Sequence, residues 1–218
     1  MGLTVRNKGG ANFEPIPEGV HIGVCYGVYD LGTHYDERWN KTSRKVRVNW
    51  ELQDCRITIE KDGKKLDLPR AIGQTYTASL SEKANLRKDL EAWRGKSFTE
   101  KELDGFDMQK LAGAACQIQV INTRKNDKTY SNVAGIMALP KGMKAPKLEN
   151  EFQWFSFEEG TEIPDGVPPW IVDIIKGSQE WSAQHGNATD DGQPDGYDDE
   201  PPVMPEDAGY DDGSGLPF

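Results

Sequence analysis

The chain has 218 residues, 36% of them hydrophobic, and 36 acidic against 26 basic side chains give a net charge of −10. This length fits one domain with extensions or two small domains. No apolar run approaches the ~20 residues of a membrane helix, and residues 1–6 lack the apolar region of a signal peptide, so we expect a soluble cytoplasmic protein. Cys25, Cys55 and Cys116 are far apart, which favours buried thiols over disulfides or a zinc site.

The charge imbalance lies entirely at the end of the chain. Residues 182–218 contain ten acidic residues and no Lys or Arg, which leaves 26 acids against 26 bases in residues 1–181. A segment of this composition buries too little apolar surface to offset its ordering entropy. We therefore expect an electrically balanced body that carries a disordered acidic tail.

The first half of the chain predicts strands. After an N-terminal arm, residues 1–19, an alternating pattern over residues 20–29 predicts a strand, and Gly23 and Gly27 suggest bulges or tight curvature within it. A polar loop is expected over residues 32–43. The second strand should place Trp50 in the core and point Arg47 and Asn49 outward.

Further strands and a helical segment follow. Residues 56–60 and 65–68 predict a hairpin around Asp62-Gly63, and another strand is expected near residues 74–80. The pattern Ser79-Leu80-Ser81-Glu82 resembles a capping box before a helix over residues 82–94. Residues 99–102 are expected to cap a short second helix, with a further turn at 106–111. Two strands, 116–124 and 129–139, then flank a turn at 125–128.

Three main strands, a helical segment and two strands form the element order of the OB-fold, a five-stranded barrel with a helix between strands three and four. We therefore predict a mainly β, OB-fold-like domain over residues 20–145. Residues 146–181 are expected to pack on the barrel as an extension, with a short helix over 168–175. The alternative for this extension is a dimer contact, and the disordered tail would occupy residues 182–218.

Aromatic and basic residues are interleaved between the first two strands and near the last turn. Single-stranded nucleic acids stack their bases on rings while Lys and Arg follow the phosphates, and OB-folds use these two loops and the neighbouring strand face. The candidate nucleic-acid-binding residues are Tyr29, His34, Tyr35, Arg38, Trp39, Lys41, Arg44, Lys45, Arg47, Asn49, Arg124, Lys125, Lys128 and Tyr130. The plainer alternative is that Tyr35 and Trp39 pack on the barrel and that the Lys and Arg side chains are only solvated.

The sequence gives little support to an enzyme. His21, His34 and His185 lack metal-ligand spacing, and no phosphate-binding loop or hydrolase motif occurs. We expect neither catalytic residues nor a metal or other cofactor.

The acidic end of the chain resembles the C-terminal tip of bacterial single-stranded DNA-binding proteins, in which a run of Asp precedes a hydrophobic residue, Pro and Phe. The matching residues here are Asp211, Asp212, Leu216, Pro217 and Phe218, although Gly213-Ser214-Gly215 interrupts the pattern. Residues 43–52 and 130–143 are similar to bacteriophage single-stranded DNA-binding proteins of OB-fold type. The resemblance implies a protein of the host cell cytoplasm that coats single-stranded DNA in phage replication and recombination. Its tip would recruit replication or recombination proteins.

Two other functions compete with this interpretation. One is an OB-fold protein-interaction module or inhibitor that acts on a host nucleic-acid enzyme, and the other is a nucleic-acid enzyme or enzyme subunit. The sequence leaves open whether the chain forms a homo-oligomer. If it binds single strands, we expect the tail to compete with DNA for the basic residues.

Overall fold

The computed structural model describes residues 14–37, 40–61, 63–126 and 128–186. Their dominant feature is an antiparallel sheet that curls into a half-barrel, with strand order β3-β2-β1-β4-β5. The strands are β1 (Gly19–Asp36), β2 (Lys41–Lys61), β3 (Lys64–Thr77), β4 (Ala115–Lys125) and β5 (Lys128–Met137). A short β6 (Gln153–Phe155) pairs in parallel with β1 at Gly27 to Tyr29. The prediction of a mainly β, OB-fold-like domain is confirmed.

Helix α1 (Asn85–Arg94) lies between β3 and β4, as the sequence predicts, and it buries Leu86, Leu90 and Trp93. The capping box predicted at residues 79–82 is wrong, because the N-cap residue is Ala84 and no side chain caps the helix. Ser79 instead forms local hydrogen bonds with Ser81. The helix ends at Gly95, whose φ of 66° is the left-handed conformation that favours glycine.

The remaining helices are short. Helix α2 (Glu100–Leu103) carries the predicted capping box between Thr99 and Glu102, and Met108–Leu111 forms a 3₁₀ turn. Helix α3 (Pro169–Lys176) begins at a proline, which suits the first helical turn. Helix α4 (Gln179–His185) continues the ordered extension beyond residue 181, where the sequence places the start of the tail.

Strand boundaries differ from the predictions in two places. The polar loop expected over residues 32–43 is mostly strand, because β1 and β2 remain paired from Thr33–Arg44 to Asp36–Lys41. The second strand and the first arm of the predicted hairpin form one strand, β2, and the second arm joins the strand expected near residues 74–80 to form β3. Only an irregularity between Leu52 and Arg56 interrupts the pairing of β2 with β3. In both places the backbone hydrogen bonds of a sheet override the local preference of polar residues for loops.

Alternate residues of β2 divide the molecule into two layers. Val46, Val48 and Trp50 face the interior of the half-barrel, where α1 completes the packing. The three free cysteines are buried as well. The buried residues in this interior form what we call the inner cluster. Besides Val46, Val48 and Trp50, its members include Cys25, Val28, Leu52, Ile72, Tyr76, Leu86, Leu90, Trp93, Ile118, Val120 and Ile136.

A second apolar cluster joins β1 to the C-terminal extension. We call it the outer cluster, and its buried members are Tyr29, Leu31, Phe155, Phe157, Val167, Ile171 and Ile175. A polar contact also fastens the extension, because Glu180 of α4 accepts hydrogen bonds at 2.6 Å from both the backbone N–H and the hydroxyl of Thr33. The extension therefore covers part of the outer surface of the barrel.

Residues 14–18 lie between the two edge strands of the half-barrel. On one side Arg70 of β3 donates hydrogen bonds to the carbonyl oxygens of Glu14 and Pro15. On the other side Ile16 accepts from Asn122 of β4 and donates to Ser131 of β5. Ile16 itself is buried in the inner cluster. This segment therefore bridges the gap between β3 and β5 through hydrogen bonds from its backbone to side chains of the strands.

Candidate nucleic-acid interface

Arg47 lies on the outer face of β2 and packs against the extension. Its guanidinium carbon is 4.5 Å from the centre of the Trp170 ring in α3, which is a cation–π contact. Its Nε donates to Asn49 Oδ1 at 2.9 Å, and its Nη1 donates to the Thr75 hydroxyl at 3.1 Å. These two hydrogen bonds hold the flat guanidinium group of Arg47 against the flat indole ring of Trp170.

Gly73 of β3 makes room for this arrangement. A Cβ atom at Gly73 would lie 2.0 Å from Asn49 Oδ1 and 2.7 Å from Arg47 Nη2. Both distances are shorter than any tolerable contact, so the side chains of β2 can lie flat over β3 only because residue 73 has no side chain. The glycine is required here for close approach, not for an unusual backbone angle.

A cavity of about 320 Å³ opens beside the Arg47–Trp170 pair. This volume is at the lower end of the ~300–1,000 Å³ typical of ligand pockets. Its walls combine β1, β2, β3, β5 and the extension, and they include Tyr26, Arg47, Asn49, Gln74, Thr75, Ser131, Asn132 and Trp170. Aromatic rings, neutral hydrogen-bonding groups and one cation therefore meet in one place, and none of the lining residues is acidic.

Arg47 lacks the carboxylate partner that usually accompanies a part-buried arginine. No Asp or Glu of the described residues lies within salt-bridge distance of it, and its hydrogen bonds go to neutral groups. Burial lowers the pKa of Arg47 to about 10, so the group stays cationic at neutral pH. A partly desolvated cation without a counter-charge favours the approach of an anion.

Arg44, also predicted from the sequence, differs from Arg47 in this respect. It forms an ion pair with Asp30 and a second one with Glu158 at 3.5 Å, and the hydrogen bonds that it donates to Asp30 raise its pKa. It borders a larger cavity of about 590 Å³, whose other charged lining residues are Asp30, Asp107, Glu158 and Glu159. Its four carboxylates disfavour the approach of a polyanion.

The tip of the β1–β2 hairpin carries several predicted residues. Tyr35 is 55% exposed and donates a hydrogen bond to Asn40 at 2.6 Å, while Lys41 is exposed. Lys45 donates to the Thr77 hydroxyl, and the His34 ring bonds the carbonyl oxygen of Leu31. Lys41 is six residues from Arg47 along β2, or roughly 20 Å at the rise of a strand.

The β4–β5 hairpin lies on the other side of the cavity. Arg124, Lys125 and Lys128 are exposed at its tip, and Tyr130 is half-buried. Lys128 is three residues from Ser131, which lines the cavity, or about 10 Å along β5. The two hairpin tips therefore lie at opposite ends of β1 with the cavity between them.

Two predicted residues are less accessible than the sequence suggests. Tyr29 is 0% exposed, and its hydroxyl donates to Gln153 at 2.5 Å, so as the chain is folded it is a core residue of the outer cluster. Asn49 lies on the expected face but is 4% exposed, since Arg47, Tyr26 and Gly73 lie against it. Arg38, Trp39 and the tip residues Asp211, Asp212, Leu216, Pro217 and Phe218 lie outside the described residues.

Sequence reasoning missed Trp170 and Tyr26. Trp170 belongs to the extension, and no local sequence pattern indicates where the extension packs on the barrel. Only the short helix around Trp170 is predictable, from the proline at its start. Tyr26 follows the alternation of β1 only until a bulge between Cys25 and Gly27 changes the register, so that Cys25 and Val28 both reach the inner cluster. Asn49 Nδ2 then lies 3.5 Å from the Tyr26 hydroxyl on the outer face.

Other site types receive no support from the part of the chain that the structure describes. No cluster of three or more His, Cys, Asp or Glu is placed to hold a metal ion there. None of its helices has the length and apolar character needed to cross a membrane. No protein-family model matches the chain, and no curated protein matches it at a significant level.

Proposed function

We propose that this protein binds single-stranded DNA across the outer face of its half-barrel, and that its acidic tail recruits other proteins of DNA replication or recombination. The observation that carries the proposal is the Arg47–Trp170 pair, a cation without a carboxylate partner that lies on an indole ring beside a cavity. Guanidinium and aromatic planes are the surfaces on which unpaired bases stack. The exposed lysine and arginine residues at the two hairpin tips extend the same face.

The charge distribution supports the same proposal. Because the body has as many acids as bases, cationic residues have to be concentrated locally if they are to attract a polyanion. The cavity has no acidic lining residue, whereas the larger cavity has four carboxylates. The two cavities therefore differ in charge, and only the one at Arg47 suits phosphate groups.

Fluorescence anisotropy with a labelled oligodeoxythymidylate tests the proposal. Trp170→Ala should cost ~1–3 kcal/mol of binding free energy, the usual value of one stacked base. Trp170→Phe keeps a ring and should retain most of the affinity. Arg47→Gln should also weaken binding, whereas Arg87→Gln should not, because Arg87 lies on α1 and pairs with Glu91. The proposal would be overturned if all four variants bound the oligonucleotide as tightly as the unmodified protein, with unchanged thermal stability.

Duplex DNA and RNA of the same length complete the experiment. The proposal expects a preference for single strands, since paired bases have no free ring faces to stack. A protein that binds none of these nucleic acids, but captures a nucleic-acid enzyme through its body, would instead support the interaction-module alternative.

A further inference from the structure

A lysine-rich segment joins β5 to the outer face of β2. Residues 138–148, which we call the strap, contain Lys141, Lys144 and Lys147, and all three side chains are exposed. No Asp or Glu occurs anywhere from Lys128 to Leu148. In a body whose charges balance overall, this is a local excess of positive charge that the sequence analysis did not single out.

Both ends of the strap are fixed to the barrel. At its start, Gln117 of β4 donates a hydrogen bond at 2.8 Å to the carbonyl oxygen of Ala138. Just beyond its end, Glu51 of β2 accepts bonds from the backbone N–H groups of Glu149 and Asn150. Arg56 also pairs with Glu149 at 2.8 Å. The strap is therefore a connection that is tethered to the barrel at both ends.

The anchor at Glu51 places the strap beside the proposed site. Glu51 has the same parity on β2 as Arg47 and Asn49, so all three belong to the outer face. Arg47 and Glu51 are four residues apart, which is ~13 Å along a strand. Lys45, also on this face, precedes Arg47 by two residues. The cationic residues thus follow β2 from its hairpin tip, through Arg47, to the strap.

We propose that the strap is a second contact for the DNA phosphate backbone, in which Lys141, Lys144 and Lys147 hold the strand that leaves the Arg47–Trp170 cavity. The inference rests on the proposed function and adds a direction to it, since the bound strand then runs along β2 toward the anchor of the strap. Lysines suit this role because phosphate contacts need charge and not a fixed geometry. Glu149 is not free to oppose them, because it is paired with Arg56.

The slope of binding affinity against salt concentration is the measurement that isolates this contact. For single strands, log K falls with log salt by about 0.7 for each phosphate contact. Replacing all three strap lysines with Gln should therefore make the slope less steep by about 2 units between roughly 50 and 200 mM salt. Replacing them with Arg keeps the charge and should leave the slope unchanged. The ligand is again the labelled oligodeoxythymidylate.

The control variant replaces Lys83, Lys96 and Lys101 with Gln. These lysines are equally exposed but lie around α1 and α2, away from the outer face. Equal slopes for the strap variant and the unmodified protein would overturn the strap contact, and the Arg47 and Trp170 results would still decide the proposed function. An equal decrease of the salt slope in the strap variant and in the control variant would also overturn the strap contact, because it would indicate a general effect of net charge. If the unmodified protein binds no DNA, both proposals fail.

Discussion

Glu51 of β2 accepts a hydrogen bond at 2.7 Å from the backbone N–H of Glu149, although the two residues are 98 positions apart in the chain. Glu51 is 0% exposed and accepts further bonds from Asn150 and Gln53. A buried carboxylate surrounded by N–H donors joins the strap to the sheet. Its donors, on Glu149, Asn150 and Gln53, would lose their acceptor if the carboxylate were removed.

Replacing Glu51 with Gln should therefore lower the free energy of unfolding by ~1–3 kcal/mol, since the amide group presents hydrogen atoms where an acceptor is needed. Urea denaturation measures the loss. Glu60→Gln on the same strand is the control, because Glu60 is exposed and its change should stay within ~0.5 kcal/mol. If both variants lose the same amount, Glu51 does not anchor the strap.

Replacing Gly73 with Ala should separate Arg47 from Trp170. The new Cβ would meet Asn49 and Arg47, and such overpacking typically costs ~1–3 kcal/mol of stability. Weaker binding to single-stranded DNA is expected in the same variant. Gly135→Ala in β5 is the matched control, since a Cβ there meets nothing within 4 Å. The explanation is wrong if Gly73→Ala keeps both its stability and its DNA affinity.

The contact between Thr33 and Glu180 should make the docking of α4 depend on pH. Burial acts to raise the pKa of Glu180, but the hydroxyl and backbone N–H of Thr33 outweigh it and hold the pKa below its ordinary value of 4.5. A carboxylate with a lowered pKa in the folded state stabilises that state above pH 4.5. This stabilisation is lost as the pH falls through the lowered value.

Carbon-detected NMR titration of the Glu180 carboxyl group tests this prediction. In Thr33→Val the hydroxyl donor is lost, so the pKa of Glu180 should move back toward 4.5, and the amide protons of α4 should exchange faster. Glu91 is an internal control, because a backbone N–H from Phe98 lowers its pKa elsewhere in the molecule. A titration of Glu180 that does not change in Thr33→Val would contradict the prediction.

The place where the tail is removed should decide the effect of truncation. Helix α4 extends to His185, and Glu180 within it holds Thr33, so a chain that ends at residue 181 loses most of α4. We expect this truncation to lower the melting temperature, whereas a chain that ends at Gly186 should keep it. The longer chain should also bind DNA more tightly than the full protein at low salt, because ten competing carboxylates are gone. Equal melting temperatures for the two truncations would show that α4 adds no stability.

Much of the barrel is readable from local patterns. Alternation placed Val46, Val48 and Trp50 in the core, the Asp62-Gly63 turn marked the β2–β3 hairpin, and the capping box at Thr99 marked α2. Each of these features depends on residues within a few positions or on the two-residue period of a strand.

The candidate site was only half predictable for the same reason. Arg47 and Asn49 were placed on the outer face by parity, but parity cannot distinguish a face in water from a face under another segment. Tyr29 illustrates the limit, since its hydroxyl bonds Gln153, which is 124 positions away. Trp170 reaches Arg47 over a similar separation, and nothing near either residue in the chain indicates that contact.

The sequence by itself determined the order of strands and helix along the chain and the separation of a balanced body from an acidic tail, because periodicity and composition are local properties. Tertiary structure alone decided which polar strand residues are covered, which arginine lacks a carboxylate and where the strap is anchored. These outcomes depend on residues about 100 or more positions apart, whose meeting is governed by the packing of the extension on the barrel.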